Sequence, residues 1–170
     1  MSDILSKVTD ARGALEKLAS KIPGFGGYLE RETRRNADKL LRETLALRYE
    51  EQWKRISEIQ RRMISEGMID SVDNMEAAAI KLRTFIDSMK TAAYGYSPLF
   101  DSVKANEAEL LKLYTYDQSL LDGVGKVQGA VDNVEASLGS DGLPAAIRNL
   151  TTICADCVTA FDHRKEVILS

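Results

Sequence analysis

The sequence predicts an all-α fold: an elongated antiparallel bundle of about five helices, two of them long, with coiled-coil-like seams. Three observations carry this expectation. Apolar residues recur at alternating three- and four-residue spacings along most of the chain. Three prolines in 170 residues and only 6% aromatics suit long helices and fit a β-sandwich poorly. No segment shows the strict alternation of a half-buried strand.

The first helix is expected over 3–21. Ile4, Val8, Ala11, Leu15, Leu18 and Ile22 form one stripe, and Pro23 with the following glycines ends it. The second is expected over 28–66, because nothing breaks it before Gly67; that is about 58 Å at 1.5 Å per residue. Leu29, Ala37, Leu40, Leu41, Thr44, Leu45 and Leu47 are assigned to its apolar side, continued by Trp53, Ile56, Ile59, Met63 and Ile64. The third, over 71–93, carries Val72, Met75, Ala79, Leu82, Ile86, Met89 and Ala93 at heptad spacing.

The fourth helix is expected over 98–138, with Ser97 as its cap and Pro98 in its first turn. Its seam runs through Leu99, Val103, Asn106, Leu110, Leu113, Asp117, Leu120, Val124, Val127, Val131, Val134 and Leu138. Gly123, Gly125 and Gly129 each weaken a helix by about 1 kcal/mol relative to Ala, so a kink or weak point is expected there. After the turn at 139–144, a last helix over 143–168 carries Leu143, Ile147, Leu150, Cys154, Cys157, Phe161 and Ile168. Short turns between the segments imply a single domain over 1–170.

Charge excludes little but directs expectation. The net charge is −3, which does not advertise nucleic-acid binding. Residues 1–70 carry a net +2 and residues 71–170 a net −5, an asymmetry that can help halves or subunits pair. The N-terminal stretch is broken by charges every few residues, unlike a signal peptide, and no run approaches the roughly 20 apolar residues that span a bilayer. A soluble, cytoplasmic protein is expected.

The chemistry-bearing motifs are few. Cys154 and Cys157 form a CxxC, with His163 six residues beyond the second. Zinc takes about four ligands, and the chain has no other Cys or His. Both cysteines fall on the apolar seam, where Cys behaves as a small hydrophobe. A di-iron bundle needs two Glu-x-x-His motifs, and the single histidine excludes it. No P-loop, G-x-S-x-G or strand-anchored G-x-G-x-x-G occurs; the glycine-rich stretch at 24–27 follows a helix and lacks the Lys-Ser/Thr of a phosphate loop. No catalytic residue, cofactor or metal ligand is assigned.

Arg31, Arg34, Arg35, Lys39 and Arg42 lie on one side of the second helix, away from most of its leucines. Such a face can meet acidic partners or anionic lipid. It can equally be a solvated face held by acid-first i,i+4 pairs: Glu30 with Arg34, Asp38 with Arg42, Glu50 with Lys54, Glu51 with Arg55, Glu58 with Arg62. Asn106 and Asp117 interrupt an apolar seam. They either fix register or lie where the seam meets solvent, and Asp117 with Tyr114 and Tyr116 is placed to line a small polar pocket.

The stretch 23–42, with Gly26–Gly27–Tyr28 and the run from Ala37 to Arg42, resembles the opening of a group of bacterial helical proteins that share a Pro-Gly-aromatic-x-Gly-Tyr joint and an Ala-Asp-Lys-Leu-Leu-Arg helix start. The resemblance covers about a tenth of the chain. It implies a bacterial helical protein and no activity. The joint itself has two uses: a corner that packs the first helix on the bundle, or a hinge that frees it for a membrane or a partner. The modest stripe, without Trp/Phe anchors, favours the corner.

The expected function is therefore a non-enzymatic structural or protein-interaction bundle, with a protein partner or self-association. The alternative is a peripheral membrane protein using helix 3–21 and the Arg31–Arg42 face. A small-ligand or metal site near Tyr114–Asp117 or Cys154–Cys157 is a third reading, although no small-molecule substrate is identified.

Overall fold

The computed structural model describes residues 2–28, 34–92 and 107–169. Five helices account for most of them: α1 Ser2–Lys21, α2 Arg34–Ser65, α3 Ile69–Thr91, α4 Glu107–Ala136 and α5 Leu143–Leu169. No strand occurs among the described residues. The all-helical bundle expected from the periodicity is the observed fold. α2 and α4 are the longest helices, with 32 and 30 residues, or roughly 45–48 Å each.

Helices α2 to α5 close a ring. α2 packs on α3, α3 on α5, α5 on α4 and α4 back on α2, while α1 packs on α4 from outside. Helices joined by the short turns run antiparallel: Trp53 reaches Ala79, and Arg42 reaches Met89. The other two neighbouring pairs run parallel. Tyr49 meets Leu120 while Arg55 meets Asp132 along α2 and α4. One end of the ring thus holds the turns between α2 and α3 and between α4 and α5. The other holds the start of α2, the ends of α3 and α5, and the 22–28 joint.

The seams expected for α3, α4 and α5 are buried. Met75, Leu82, Ile86 and Met89 face inward from α3; Leu110, Leu113, Leu120, Val127, Val131 and Val134 from α4; Leu143, Ile147, Leu150, Cys154, Cys157 and Phe161 from α5. Each fully buried aliphatic side chain of this kind stabilises by about 1.5–3 kcal/mol relative to exposure. In α1, Ala14, Leu18 and Ile22 are buried and Leu15 packs against the core. Ile4, Val8 and Ala11 lie outside the residues whose side chains are described.

Helix α2 corrects the expectation. Its core-facing positions are Arg34, Asp38, Leu41, Arg42, Leu45, Ala46, Tyr49, Gln52, Ile56, Ile59 and Met63. Leu47, assigned to the apolar side, is 61% exposed, and Ile64 is exposed too. The seam takes in Leu41, Leu45, Ile56, Ile59 and Met63 as expected, but it passes through polar residues at its first two positions, which a reading by apolar residues left out. α2 is helical from Arg34; Tyr28, expected to begin it, lies in the preceding bend. Leu29, Ala93, Leu99, Val103, Asn106, the Ser97 cap and Pro98 lie outside the described residues.

Helix α4 runs unbroken through Gly123, Gly125 and Gly129. Gly123 has a packing reason. The Tyr49 hydroxyl crosses from α2 to donate to the Leu120 carbonyl, and a Cβ on Gly123 would collide with that oxygen. The helix gives up side-chain bulk at one position so that a phenol can lie against its backbone.

Of the expected i,i+4 pairs, Asp38 with Arg42 forms, while Glu50, Arg55 and Arg62 take other partners. Glu50 reaches across to Lys90 at 3.2 Å and Arg83 at 3.5 Å on α3. Arg55 reaches Asp132 at 2.6 Å and Glu135 at 3.5 Å on α4, and Arg62 turns to Glu66 at 3.1 Å. In a bundle the neighbouring helix offers partners as near as those one turn away.

Candidate functional site

The joint at 22–28 is a corner. Ile22, Phe25 and Tyr28 are all buried, and Arg48 on α2 donates to the Lys21 carbonyl at the end of α1. Gly24 and Gly27 take left-handed backbone angles, with φ of 84° and 87°, which cost L-residues with a side chain. At Gly27 space matters too. An added Cβ would lie 2.6 Å from the Tyr114 hydroxyl and 2.9 Å from Leu15. The missing side chain lets the Tyr28 amide donate to Tyr114 Oη at 2.8 Å.

Tyr28 then inserts its ring into the open end of the bundle. It stacks on Tyr114, with centroids 5.3 Å apart, and meets Phe25 edge-on at 5.4 Å. Its hydroxyl donates to Asp117 Oδ2 at 2.6 Å and accepts from Arg164 Nη2 at 3.1 Å. Arg164, fully buried, donates from Nε to Asp117 Oδ1 and from Nη2 to Asp38 Oδ1. Arg42 closes the other side of Asp38, donating from Nε to Oδ2 at 2.9 Å and from Nη1 to the Met89 carbonyl at 2.6 Å. Arg34 donates from Nε to the Tyr28 carbonyl at 2.6 Å.

One buried cluster therefore joins the joint to α2, α3, α4 and α5. Charge-assisted bonds are the strongest hydrogen bonds a protein makes, and in a dry interior each charge needs its partner. Burial pushes the Asp117 carboxyl above its ordinary range, against the pull of Arg164 and the Tyr28 hydroxyl. Burial also holds the Tyr28 phenol well above its usual value, with the Asp117 charge adding to the shift.

The second candidate region is the CxxC. Cys154 and Cys157 are buried free thiols on α5. Burial pushes the Cys154 thiol up to about 12 and raises Cys157 as well. Cys157 Sγ lies 3.7 Å from the Tyr49 hydroxyl, whose own value burial raises well above normal. A nucleophilic cysteine requires the opposite shift. His163 is exposed, its ring edge-on to Tyr116 at 6.1 Å. Among the described residues, no group of three or more His, Cys, Asp or Glu is placed to hold a metal ion.

The basic face expected on α2 is divided by the fold. Arg34 and Arg42 are buried, because they occupy core-facing positions of the helix. The expected exposed pair of Asp38 and Arg42 is the buried one described above. Arg35 is half-buried, and Lys39 is exposed and 3.8 Å from Glu43. Arg31 lies outside the described residues.

Asp117 was singled out as a polar seam residue and sits at the heart of the cluster, with Tyr114 beside it. Tyr28, Asp38 and Arg164 were not. The signal for Arg164 is its place on the seam, at the next heptad step after Leu150, Cys154, Cys157 and Phe161. Asp38 likewise continues Leu45 and Leu41 toward the helix start. A charged residue on an apolar repeat marks a buried partner of opposite sign.

No described helix is long and apolar enough to cross a membrane. Compared with known proteins, the chain matches no family model, no curated protein and no solved structure.

Proposed function

We propose that this chain is a non-enzymatic structural bundle that acts through protein contacts on its helix surfaces. One observation carries the reading: the buried carboxylates, thiols and phenols are held in inert states. The Arg164 cluster ties carboxylates to guanidiniums, and burial keeps the Cys154, Cys157, Tyr28 and Tyr49 protons on. Catalytic acids, bases and nucleophiles are tuned toward the operating pH instead.

What remains for recognition is surface. Among the described residues, the large apolar side chains that stay exposed, Leu47, Ile64, Ile69 and Ile80, belong to α2 and α3. The membrane alternative needs the α1 stripe and the α2 basic face at the surface, yet Leu18, Ile22, Arg34 and Arg42 are buried.

Thiol titration of the native chain tests the inert interior. Both cysteines should resist a soluble thiol reagent until the chain unfolds; rapid labelling of either one in the folded protein would overturn the reading. Sedimentation velocity over a wide concentration range tests self-association. Mass rising with concentration, and reduced by Leu47→Glu or Ile80→Glu, places the contact on α2 and α3. A strict monomer would shift the partner to a different protein. Flotation with anionic vesicles would favour the membrane alternative.

A further inference from the structure

The outward edge of α2 repeats at steps of four and three residues: Leu47, Glu51, Lys54, Glu58 and Arg61. That spacing keeps the five on one ridge of the helix, and all of them are exposed. Leu47 is the most exposed large apolar side chain among the described residues, and Ile64, three residues beyond Arg61, is exposed too.

The fold leaves the ridge charges unengaged. The i,i+4 partners expected for Lys54, Glu51 and Glu58 are drawn elsewhere. Glu50 is held by Lys90 and Arg83 on α3, Arg55 by Asp132 and Glu135 on α4, and Arg62 by Glu66. Among the described residues, Glu51, Lys54, Glu58 and Arg61 form no ion pair. The two flanks of α2 are thus tied to the bundle, and the ridge between them carries charge of alternating sign.

The order of signs has a symmetry. From 51 to 61 the ridge reads minus, plus, minus, plus. Turned end for end at the level of Ile56, Glu51 falls on Arg61 and Lys54 on Glu58. In the same register Leu47 falls against position 65, beside Ile64. A two-fold axis there makes each of these contacts twice, so one register pairs every ridge charge with its opposite and covers both exposed apolar side chains. A parallel pairing would set Glu51 on Glu51 and Lys54 on Lys54, which repels.

We propose that two copies of the chain associate antiparallel along α2, with Glu51 against the partner's Arg61 and Lys54 against the partner's Glu58. The inference rests on the reading above that the chain acts through protein contacts on its helix surfaces, and it names a second copy as the partner. Exposed ion pairs are individually weak, so the dimer is reversible and sensitive to salt.

The test is sedimentation velocity of the full chain over a wide concentration range, at low and at high salt. Circular dichroism checks that each variant keeps its helices; the substituted residues are all exposed. The expected mass rises toward the dimer with concentration, and less so at high salt. Glu51→Lys places like charge on the partner's Arg61 and should weaken association about tenfold. Adding Arg61→Glu restores the pair with its signs exchanged and should recover the association. A monomer at every concentration would overturn the inference, while leaving a different protein as the partner of these surfaces. Association indifferent to Glu51→Lys would overturn it as well and move the self-contact to another face. A loss that Arg61→Glu does not recover would overturn the antiparallel register.

Discussion

The two ends of the bundle are equally buried and are held by different physics. Toward the α2–α3 and α4–α5 turns the interior is aliphatic: Ile56, Met63, Met75, Val131, Val134, Ile147 and Leu150 pack with little or no exposure. Toward the 22–28 joint, Asp38, Asp117, Arg164 and Tyr28 are just as buried and almost wholly polar in their contacts. Apolar packing is non-directional, so it rewards burial without naming one partner. A guanidinium bonded to two carboxylates on different helices names both, and a slide of α5 by one residue, about 1.5 Å, would break the geometry. The comparison assigns bulk stability to the aliphatic end and register to the ionic one.

The sharpest way to break this contrast is Arg164→Met. It leaves Asp38 and Asp117 buried without their shared cation, and the expected loss is about 3–5 kcal/mol in urea unfolding. Leu150→Ala is its aliphatic counterpart. It should cost about 2–5 kcal/mol by opening a cavity, while the native fluorescence and near-UV signature of the joint tyrosines stays intact. The difference in that signature between the two variants, beyond the loss of stability, is what separates register from bulk.

Alkaline pH probes the middle of the bundle. Cys154 titrates near 9.0 when unfolded and at about 12 when folded. The folded state therefore keeps a proton that the unfolded chain loses. The stability this represents is present in full below pH 9 and falls as pH rises toward 12, by about 1.4 kcal/mol per pH unit for one such thiol. Cys157, Tyr28 and Tyr49 shift in the same direction and steepen the loss. Cys154→Ala measured in parallel should flatten the slope; an unchanged slope would show that the thiol is not protected.

The smallest effects come from the glycines of α4. Gly129→Ala has open space around its new Cβ and should stabilise by about 0.4–1 kcal/mol. Gly123→Ala meets the Tyr49 hydroxyl and should destabilise by roughly 1–3 kcal/mol despite the better helix propensity of alanine. Thermal unfolding of the two variants checks the opposite signs.

Much of the fold was legible because heptad spacing is a direct record of which face is buried. The seam from Leu110 to Val134 on α4 could be read residue by residue, and so could the one from Leu143 to Phe161 on α5. Legibility failed where the buried position was polar. On α2, Arg34 and Asp38 continue the seam, but hydrophobicity alone sends them outward and sends Leu47 inward. The joint could be recognised as a corner from Pro23 and its glycines. What Tyr28 does there could not, because its partners Asp117 and Arg164 lie 89 and 136 residues away. Asp117 was visible as an interruption of a long apolar run. Arg164, near the end of its helix, stands where a solvated basic residue is common, and hydrophobicity alone does not mark it.

The most direct test of the ionic end is a double-mutant cycle between Asp117 and Arg164, read by urea unfolding. It compares the wild type with Asp117→Leu, Arg164→Met and the double variant. If the two side chains form one buried unit, the double variant should be more stable than the summed single losses predict, by about 1–3 kcal/mol. Losses that simply add would contradict the account, and the polar end would then be a set of independent contacts rather than the element that fixes register.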